Sequence, residues 1–262
     1  MAKDNLYQYD STAANNLDVG GVSVAEGMLP SGVNNAIREL MSHQKDFVTG
    51  AYLAGTNNVA LGDAALDDGS LSGGNNTAVG SGALTANTTA SDNTAVGYQA
   101  AYSNTTGTAL TAFGLQALRQ NTTGNYNAAI GNGALYTNTT GSSNTALGVQ
   151  ALVLSTTASN NTAVGHQAGY YTTTANRLTA IGQYAGYGQA TGAENTYIGY
   201  GSGPNTVTNA SGQYNTGLGA FSLYSNTTAS NNTAVGYQAG FSNTTGVIQA
   251  FGRRALYSNT TG

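Results

Sequence analysis

Cysteine and tryptophan are absent from this sequence of 262 residues, and charged side chains are scarce. Asp, Glu, Lys and Arg make up only 7% of the chain, against about a quarter in an ordinary soluble domain. Without cysteine the chain has no disulfide framework and no thiolate metal site. A net charge of −4 with no basic run argues against a nucleic-acid partner.

Long apolar runs are also missing. No stretch of about 20 apolar residues could span a bilayer, and residues 1–30 contain no basic segment followed by an apolar one, as an export signal would. We therefore expect synthesis in a cytoplasm, no export by the usual route and no membrane insertion.

The charges that are present are concentrated near the start of the chain. Half of them lie within residues 1–50: Lys3, Asp4, Asp10, Asp18, Glu26, Arg38, Glu39, Lys45 and Asp46. This shift in composition predicts a domain boundary near residue 50.

One short motif, typified by Asn-Thr-Ala-Val-Gly, recurs along the rest of the chain. Its glycines are Gly62, Gly80, Gly97, Gly114, Gly131, Gly148, Gly165, Gly182, Gly199, Gly219, Gly236 and Gly252. Eight of the eleven intervals between them are 17 residues long. Twelve copies of one short unit indicate a repeat architecture.

Each position of the repeat has its own chemistry. The residue before the glycine is always apolar, and it is mostly branched, which favours a strand. Alanine usually follows three places after the glycine, and an aromatic residue often follows five places after it. The remaining residues are mainly Asn, Thr, Ser and Gly, which form turns.

These columns predict a mainly β protein, a parallel β-solenoid or β-roll of about twelve coils over residues 51–262. We expect two short strands and two turns in each coil. A disordered chain would not keep one large apolar residue in register through twelve units. After Leu61, the predicted shaft core is Val79, Val96, Phe113, Ile130, Leu147, Val164, Ile181, Ile198, Leu218, Val235 and Phe251.

The apolar content of one coil is small for 17 ordered residues. We expect the shaft to bury one face against identical chains, as a homotrimer. A lone solenoid is the alternative.

Residues 30–48 have the pattern of a helix that begins at Pro30 and Ser31. A stripe with steps of four and three residues is typical of a coiled coil. The stripe consists of Val33, Ile37, Leu40, Gln44 and Phe47. We predict a trimeric coiled coil within residues 30–50 and an extended arm over residues 1–29. An amphipathic helix packed on its own domain fits the same stripe.

Two segments carry a resemblance to a known family. Residues 11–47, "STAANNLDVGGVSVAEGMLPSGVNNAIRELMSHQKDF", resemble the N-terminal attachment segment of bacteriophage tail fibres. The "NTAVGYQA" and "YSNTTG" units resemble the repetitive shafts of phage tail-fibre proteins, which often end in a self-cleaving chaperone domain. More distantly, they are similar to coils in the heads of trimeric autotransporter adhesins.

The resemblance implies a structural protein of the virion tail, made in the host cytoplasm. Residues 1–50 would then dock to tail or adaptor proteins. The last unit, "YSNTTG", elsewhere leads into another coil, so we expect the gene product to continue beyond residue 262. Contact with a host-surface glycan or protein would lie in that further part, with weak glycan contacts at exposed tyrosines such as Tyr98, Tyr200 and Tyr237.

Catalytic signals are weak. His43 and His166 have no ligand spacing between them, and no pair of carboxylates stands out as a glycosidase would need. Asp67 and Asp68 could ligate calcium, but a solvated turn is the simpler interpretation. We expect no enzyme activity, no cofactor and no metal.

Two other functions fit parts of the pattern. A bacterial trimeric adhesin head would share the repeats but requires export to the cell surface. An ice-binding solenoid would use a regular threonine column, which includes Thr77, Thr94, Thr145, Thr162, Thr179, Thr196, Thr216 and Thr233.

Overall fold

The computed structural model describes residues 18–19, 22–23, 57–205 and 209–261. The predicted helix at residues 30–48 lies outside the described residues, as does the predicted arm at residues 1–29 apart from residues 18–19 and 22–23. The chain divides into two units, Met1–Gly50 and Ala51–Gly262. In the first unit, β1 (Asp18–Val19) pairs antiparallel with β2 (Val22–Ser23).

The described residues of the second unit contain one sheet of twelve parallel strands and no helix. The strands are β3 (Val59–Leu61), β4 (Thr77–Val79), β5 (Thr94–Val96), β6 (Thr111–Phe113), β7 (Ala128–Ile130), β8 (Thr145–Leu147), β9 (Thr162–Val164), β10 (Thr179–Ile181), β11 (Thr196–Ile198), β12 (Thr216–Leu218), β13 (Thr233–Val235) and β14 (Gln249–Phe251). Each strand pairs with the strands before and after it in the chain, so that Thr94 lies beside Thr111. The predicted parallel β-solenoid is confirmed, with about eleven turns.

Each described coil has one strand, and the prediction of two strands per coil is wrong. The rest of the coil is a series of turns with residues in the left-handed backbone region. In the coil that follows Gly97, Gln99 has φ 53° and Ala101 has φ 50°. Two left-handed residues so close together bend the chain too sharply for a second strand to form.

Backbone hydrogen bonds join the coils outside the sheet as well. The Gln99 N–H donates to the Ser81 carbonyl at 2.9 Å, and the Thr105 N–H donates to the Thr122 carbonyl at 3.0 Å. The turns are therefore stacked coil on coil, like the strands. This stacking gives hydrogen-bond partners to backbone N–H and C=O groups, which would be costly to bury unpaired.

Alanine and leucine form the core. In β5 the middle residue Ala95 is completely buried, as are Ala100 in the following turn and Leu84 in the turn of the preceding coil. Strand alternation directs the middle residue of three inward. Because one strand and tight turns enclose a narrow interior, small side chains fit the middle position, which is held by Ala78, Ala95, Ala112, Ala129, Ala146, Ala163, Ala180, Ala234 and Ala250.

The structure corrects the predicted core within the single chain. The residue before each repeat glycine is the third of its strand, and alternation directs it to the same outer side as the first. These side chains are half-buried or exposed, with 54% of Phe113 accessible. The residues that were predicted to be core but lie on the outer side are Val79, Val96, Phe113, Ile130, Leu147, Val164, Ile181, Ile198, Leu218, Val235 and Phe251.

Asparagine side chains fill much of the interior that the alanines leave. Asn144 Nδ2 donates to the Ala158 carbonyl at 2.9 Å and to Asn127 Oδ1 at 3.1 Å. Asn144 Oδ1 accepts the Asn161 N–H at 3.0 Å. The Asn144 amide is thus paired within its coil and with both neighbouring coils, which offsets the free-energy cost of burying a polar group.

Tyr197 is an exception in the middle of β11, where most coils have alanine. Its ring is completely buried. A Cβ built on Gly203 would lie 2.5 Å from Cγ of Tyr197, and one on Gly217 would lie 3.2 Å from its Cδ1. Its hydroxyl donates to Gln189 Oε1 at 3.2 Å. Burial raises the pKa of Tyr197.

Candidate functional site

The outer side of the sheet is a long, regular surface. This surface consists of the first and third residues of strands β3–β14, and we call it the ladder face. Threonine holds nine of the twelve first positions, and an apolar residue holds all twelve third positions. Parallel in-register pairing stacks like residues along the face, as in Val79 beside Val96. The result is a threonine column next to an apolar column.

The predicted attachment residues cannot be placed against this face. Val33, Ile37, Leu40, Gln44 and Phe47 lie outside the described residues. Their role in tail attachment and trimerisation stays a prediction.

Aromatic side chains form a second column, five places after seven of the twelve repeat glycines. Tyr224, Phe241 and Tyr257 stack with ring centroids 5.0 Å apart at each step and interplanar angles of 5° and 15°. Elsewhere in the column, the Arg119 guanidinium lies 5.6 Å from the ring centroids of both Tyr102 and Tyr136. Such contacts stabilise the stacking of coils.

An open cleft of about 340 Å³ interrupts this side of the solenoid near the coil of Gly199. We call it the aromatic cleft. It is lined by Gln167, Tyr184, Tyr187, Tyr200, Asn205, Phe221 and Tyr224. The Tyr200 ring contacts two other rings of the cleft, with its centroid 6.0 Å from that of Tyr184 and 5.0 Å from that of Phe221.

The cleft contains polar groups as well as ring surface. Asn205 Nδ2 donates to the Tyr184 carbonyl at 3.2 Å, and Gln167 Nε2 donates to Gln150 Oε1 at 2.7 Å. Burial, and then a hydrogen bond with Tyr171, raise the pKa of Tyr187. Its hydroxyl is therefore a neutral hydrogen-bonding group at neutral pH.

Charged groups do not assemble into a catalytic or metal-binding arrangement in residues 57–205 and 209–261. Asp68 accepts hydrogen bonds from the side chain and backbone of Ser70, which lower its pKa. Arg177 forms an exposed ion pair with Glu194. Among the described residues, no three His, Asp or Glu side chains are grouped as metal ligands would be.

Sequence reasoning missed the aromatic cleft, although it had named Tyr200. The sequence does contain a sign of the cleft. The coil of Gly199 has Gly201 and Pro204 where its neighbours have aromatic residues, and the next repeat glycine follows after 20 residues instead of 17. No helix in the described part of the chain is long and apolar enough to cross a membrane.

The fold and these surfaces define a repetitive parallel β-solenoid protein. Comparison of the chain with protein-family models, with curated proteins and with solved structures finds no match.

Proposed function

We propose that the protein is a structural fibre of a bacteriophage tail and that residues 51–262 form its shaft. Twelve strands at about 4.8 Å spacing make a rigid rod segment of roughly 50–60 Å. A stack of this kind can be lengthened by copying one coil, as a fibre requires. The resemblance of residues 11–47 to tail-fibre attachment segments supports the assignment to a phage.

The observation that carries the proposal is the exposed apolar column of the ladder face. It runs through all twelve strands, and 41% of Ile130 and 44% of Leu147 are accessible in the single chain. With strands of three residues, the ladder face measures roughly 50 Å by 10 Å, or about 500 Å². A continuous surface of this size with one full apolar column is typical of an interaction site.

We assign this surface to contact between identical chains in a homotrimer. A self-interface is favoured because the apolar column has the repeat of the chain itself, so a second copy matches it coil for coil. Trimers also supply the buried apolar area that the alanine core lacks. The stripe in residues 30–50 would hold the three chains together at the end that docks to tail or adaptor proteins.

Sedimentation equilibrium of the full chain tests the assembly. We expect a mass three times the 26.3 kDa of one chain. A stable monomer at micromolar concentration would contradict the trimer.

Electron microscopy of virions tests the role itself. We expect antibodies against residues 51–262 to label a tail appendage. Deletion of residues 1–48 should leave folded shafts that no longer join virions, whereas normal incorporation would refute the anchoring role. Labelling of a bacterial surface instead would favour an adhesin.

The threonine column supports ice binding as a second candidate. Nine threonines stand at one position of a parallel sheet, in register with their neighbours. Bulky side chains such as Phe113 and Phe251 interrupt the flatness of the adjacent column. Thermal hysteresis of the purified protein would support this function, and freezing without hysteresis would exclude it.

A further inference from the structure

The aromatic cleft exists because one coil lacks the side chains that its neighbours present. Two places after its repeat glycine, the coil of Gly199 has Gly201, where the preceding coil has Tyr184 and the following coil has Phe221. Five places after the glycine it has Pro204, where those coils have an aromatic residue. The cleft is therefore a gap of one coil in two columns of side chains.

The two walls of the gap are aromatic. Tyr184 and Tyr187 form one wall, with ring centroids 5.6 Å apart. Phe221 and Tyr224 form the other, also with centroids 5.6 Å apart. Because one coil is skipped, the walls belong to coils about 10 Å apart. The Tyr200 ring contacts one ring of each wall, and the open cleft of about 340 Å³ beside these rings is large enough for a single six-membered ring.

The hydrogen-bonding side chains Asn205 and Gln167 line the cleft and carry no charge. Asn205 and Gln167 each use their side-chain NH₂ group in a hydrogen bond within the chain. Their Oδ1 and Oε1 atoms receive no hydrogen bond from the described residues and can accept one from a ligand. Tyrosine hydroxyls beside them can donate or accept. No lining residue is acidic or basic.

We infer that the aromatic cleft binds a neutral sugar residue of an oligosaccharide. A pyranose ring has C–H faces that pack on aromatic rings and hydroxyl groups at its edge that donate to amide oxygens. The cleft offers both groups, and its volume is within the range of small-molecule sites. The absence of charge from the lining residues disfavours acidic sugars, because nothing there would compensate their carboxylate.

This inference goes beyond the structural role and does not depend on the chain belonging to a phage. A neutral aromatic side chain of a peptide could also enter the gap, but it would leave the amide oxygens without donors. That loss favours a sugar.

The repeat itself supplies a variant that fills the cleft. Gly201 has φ 58°, and glutamine occupies the same place in other coils at φ 53° in Gln99 and 56° in Gln116. Gly201→Gln therefore suits the backbone. A Cβ there would lie 3.1 Å from Phe221 Cδ1. The glutamine side chain would therefore compete with a ligand for the gap. Gly133→Gln is the matched control, because Gly133 has φ 64° and its new Cβ would meet only Gln150 Cγ, at 3.7 Å.

The full chain should be screened on an array of neutral and acidic oligosaccharides. The best neutral oligosaccharide is then measured by isothermal titration calorimetry. We expect binding with a Kd in the micromolar to millimolar range, and a loss of about tenfold or more in affinity for Gly201→Gln and for Tyr200→Ala. Gly133→Gln should bind within about twofold of the wild type.

Four results would overturn the inference. The first two are no binding of any array member at millimolar concentration and binding of acidic sugars alone. The others are equal losses in the cleft and control variants, and binding of an aromatic tetrapeptide in preference to every sugar. Circular dichroism melting of each variant shows whether it has folded. Gly201→Gln keeps the test valid if Tyr200→Ala does not fold.

Discussion

Leu178 occupies the space that Gly169 leaves empty in the same coil. A Cβ built on Gly169 would lie 3.3 Å from Cδ2 of Leu178 and 2.8 Å from Cδ2 of Leu152. Gly169 lies four places after a repeat glycine, and Leu178 lies four places before the next one. The commoner coils have the larger side chain at the first of these positions and the smaller at the second, as with Leu118 and Asn127. The two positions of one coil therefore share a single interior volume.

Exchanging the two sizes tests this relationship. Gly169→Leu alone should destabilise the protein by about 1–3 kcal/mol through overpacking, and Leu178→Asn alone by about 2–4 kcal/mol through a cavity. The double variant should recover at least half of the summed loss, since it recreates the commoner pair. Denaturant unfolding followed by circular dichroism measures each free energy of unfolding.

The exchange has a second expected benefit. In the commoner coils the asparagine Oδ1 accepts the N–H of the next coil, as Asn144 does from Asn161 at 3.0 Å. Leu178 offers no such acceptor to Asn195. Additive losses in the double variant would show that the two positions do not share space, and the volume argument would fail.

The repeat glycines are required by close backbone contact between coils. Gly148 has φ 139°, and a Cβ on it would lie 2.4 Å from the carbonyl oxygen of Gly165. Backbone atoms on both sides cannot move without breaking the stack. We expect Gly148→Ala to destabilise the shaft by more than about 3 kcal/mol.

Gly69 offers the matched control, because a Cβ there would have no neighbour within 4 Å. Gly69→Ala should leave the melting temperature within a few degrees of the wild type. Similar losses in both variants would show that contact between coils at Gly148 is not the cause, because the stiffer unfolded chain of a Gly→Ala variant by itself favours folding.

The sequence predicted the strands but not which side their residues face. The repeat placed Thr94–Val96 in a strand and set the parallel stacking correctly. Hydrophobicity then assigned Val96 to the core, whereas the narrow interior admits Ala95 and leaves Val96 on the outer side. A strand of three residues has too short an alternation to show which face is buried.

The sequence predicted that the asparagines bond to nearby backbone, but not that they are buried. Asparagine is a residue type common in turns, and only the stacked coils reveal that the amide of Asn144 is buried and paired. The same holds for the aromatic cleft. Its walls come from Tyr184 and Phe221, which are 37 positions apart in the chain, and its existence depends on the missing side chain of Gly201. Such contacts between coils depend on how one coil stacks on the next, which the residue composition of the repeat does not specify.

Tyr197 should make the stability of the shaft depend on pH in alkaline solution. Burial raises the pKa of Tyr197 in the folded chain, while the unfolded chain has an ordinary tyrosine pKa of about 10. Above that pH the unfolded state releases a proton that the folded state keeps, so stability is full below about pH 10 and falls as pH rises. The expected slope is about 1.4 kcal/mol per pH unit.

Tyr197→Phe isolates this contribution from that of the other tyrosines. The variant loses the hydrogen bond to Gln189 at all pH values, so it should be less stable by about 1–2 kcal/mol at pH 8. Between pH 10 and 11 its stability should fall less steeply than that of the wild type. Parallel curves for the two proteins would show that Tyr197 does not titrate above the ordinary range.

The last prediction concerns the ladder face and the proposed trimer. Ile130→Lys places a charge in the apolar column, and three copies in a trimer would bring like charges into a desolvated contact. Because 41% of Ile130 is exposed in the single chain, the same change should cost a monomer only about 0.5 kcal/mol. We expect sedimentation equilibrium to show a shift from trimer to monomer at micromolar concentration. Thr157→Lys, on an exposed turn of another side, adds the same charge away from the ladder face and should leave the trimer intact. If Ile130→Lys keeps the trimer mass, the chains meet elsewhere, and the apolar column needs another partner.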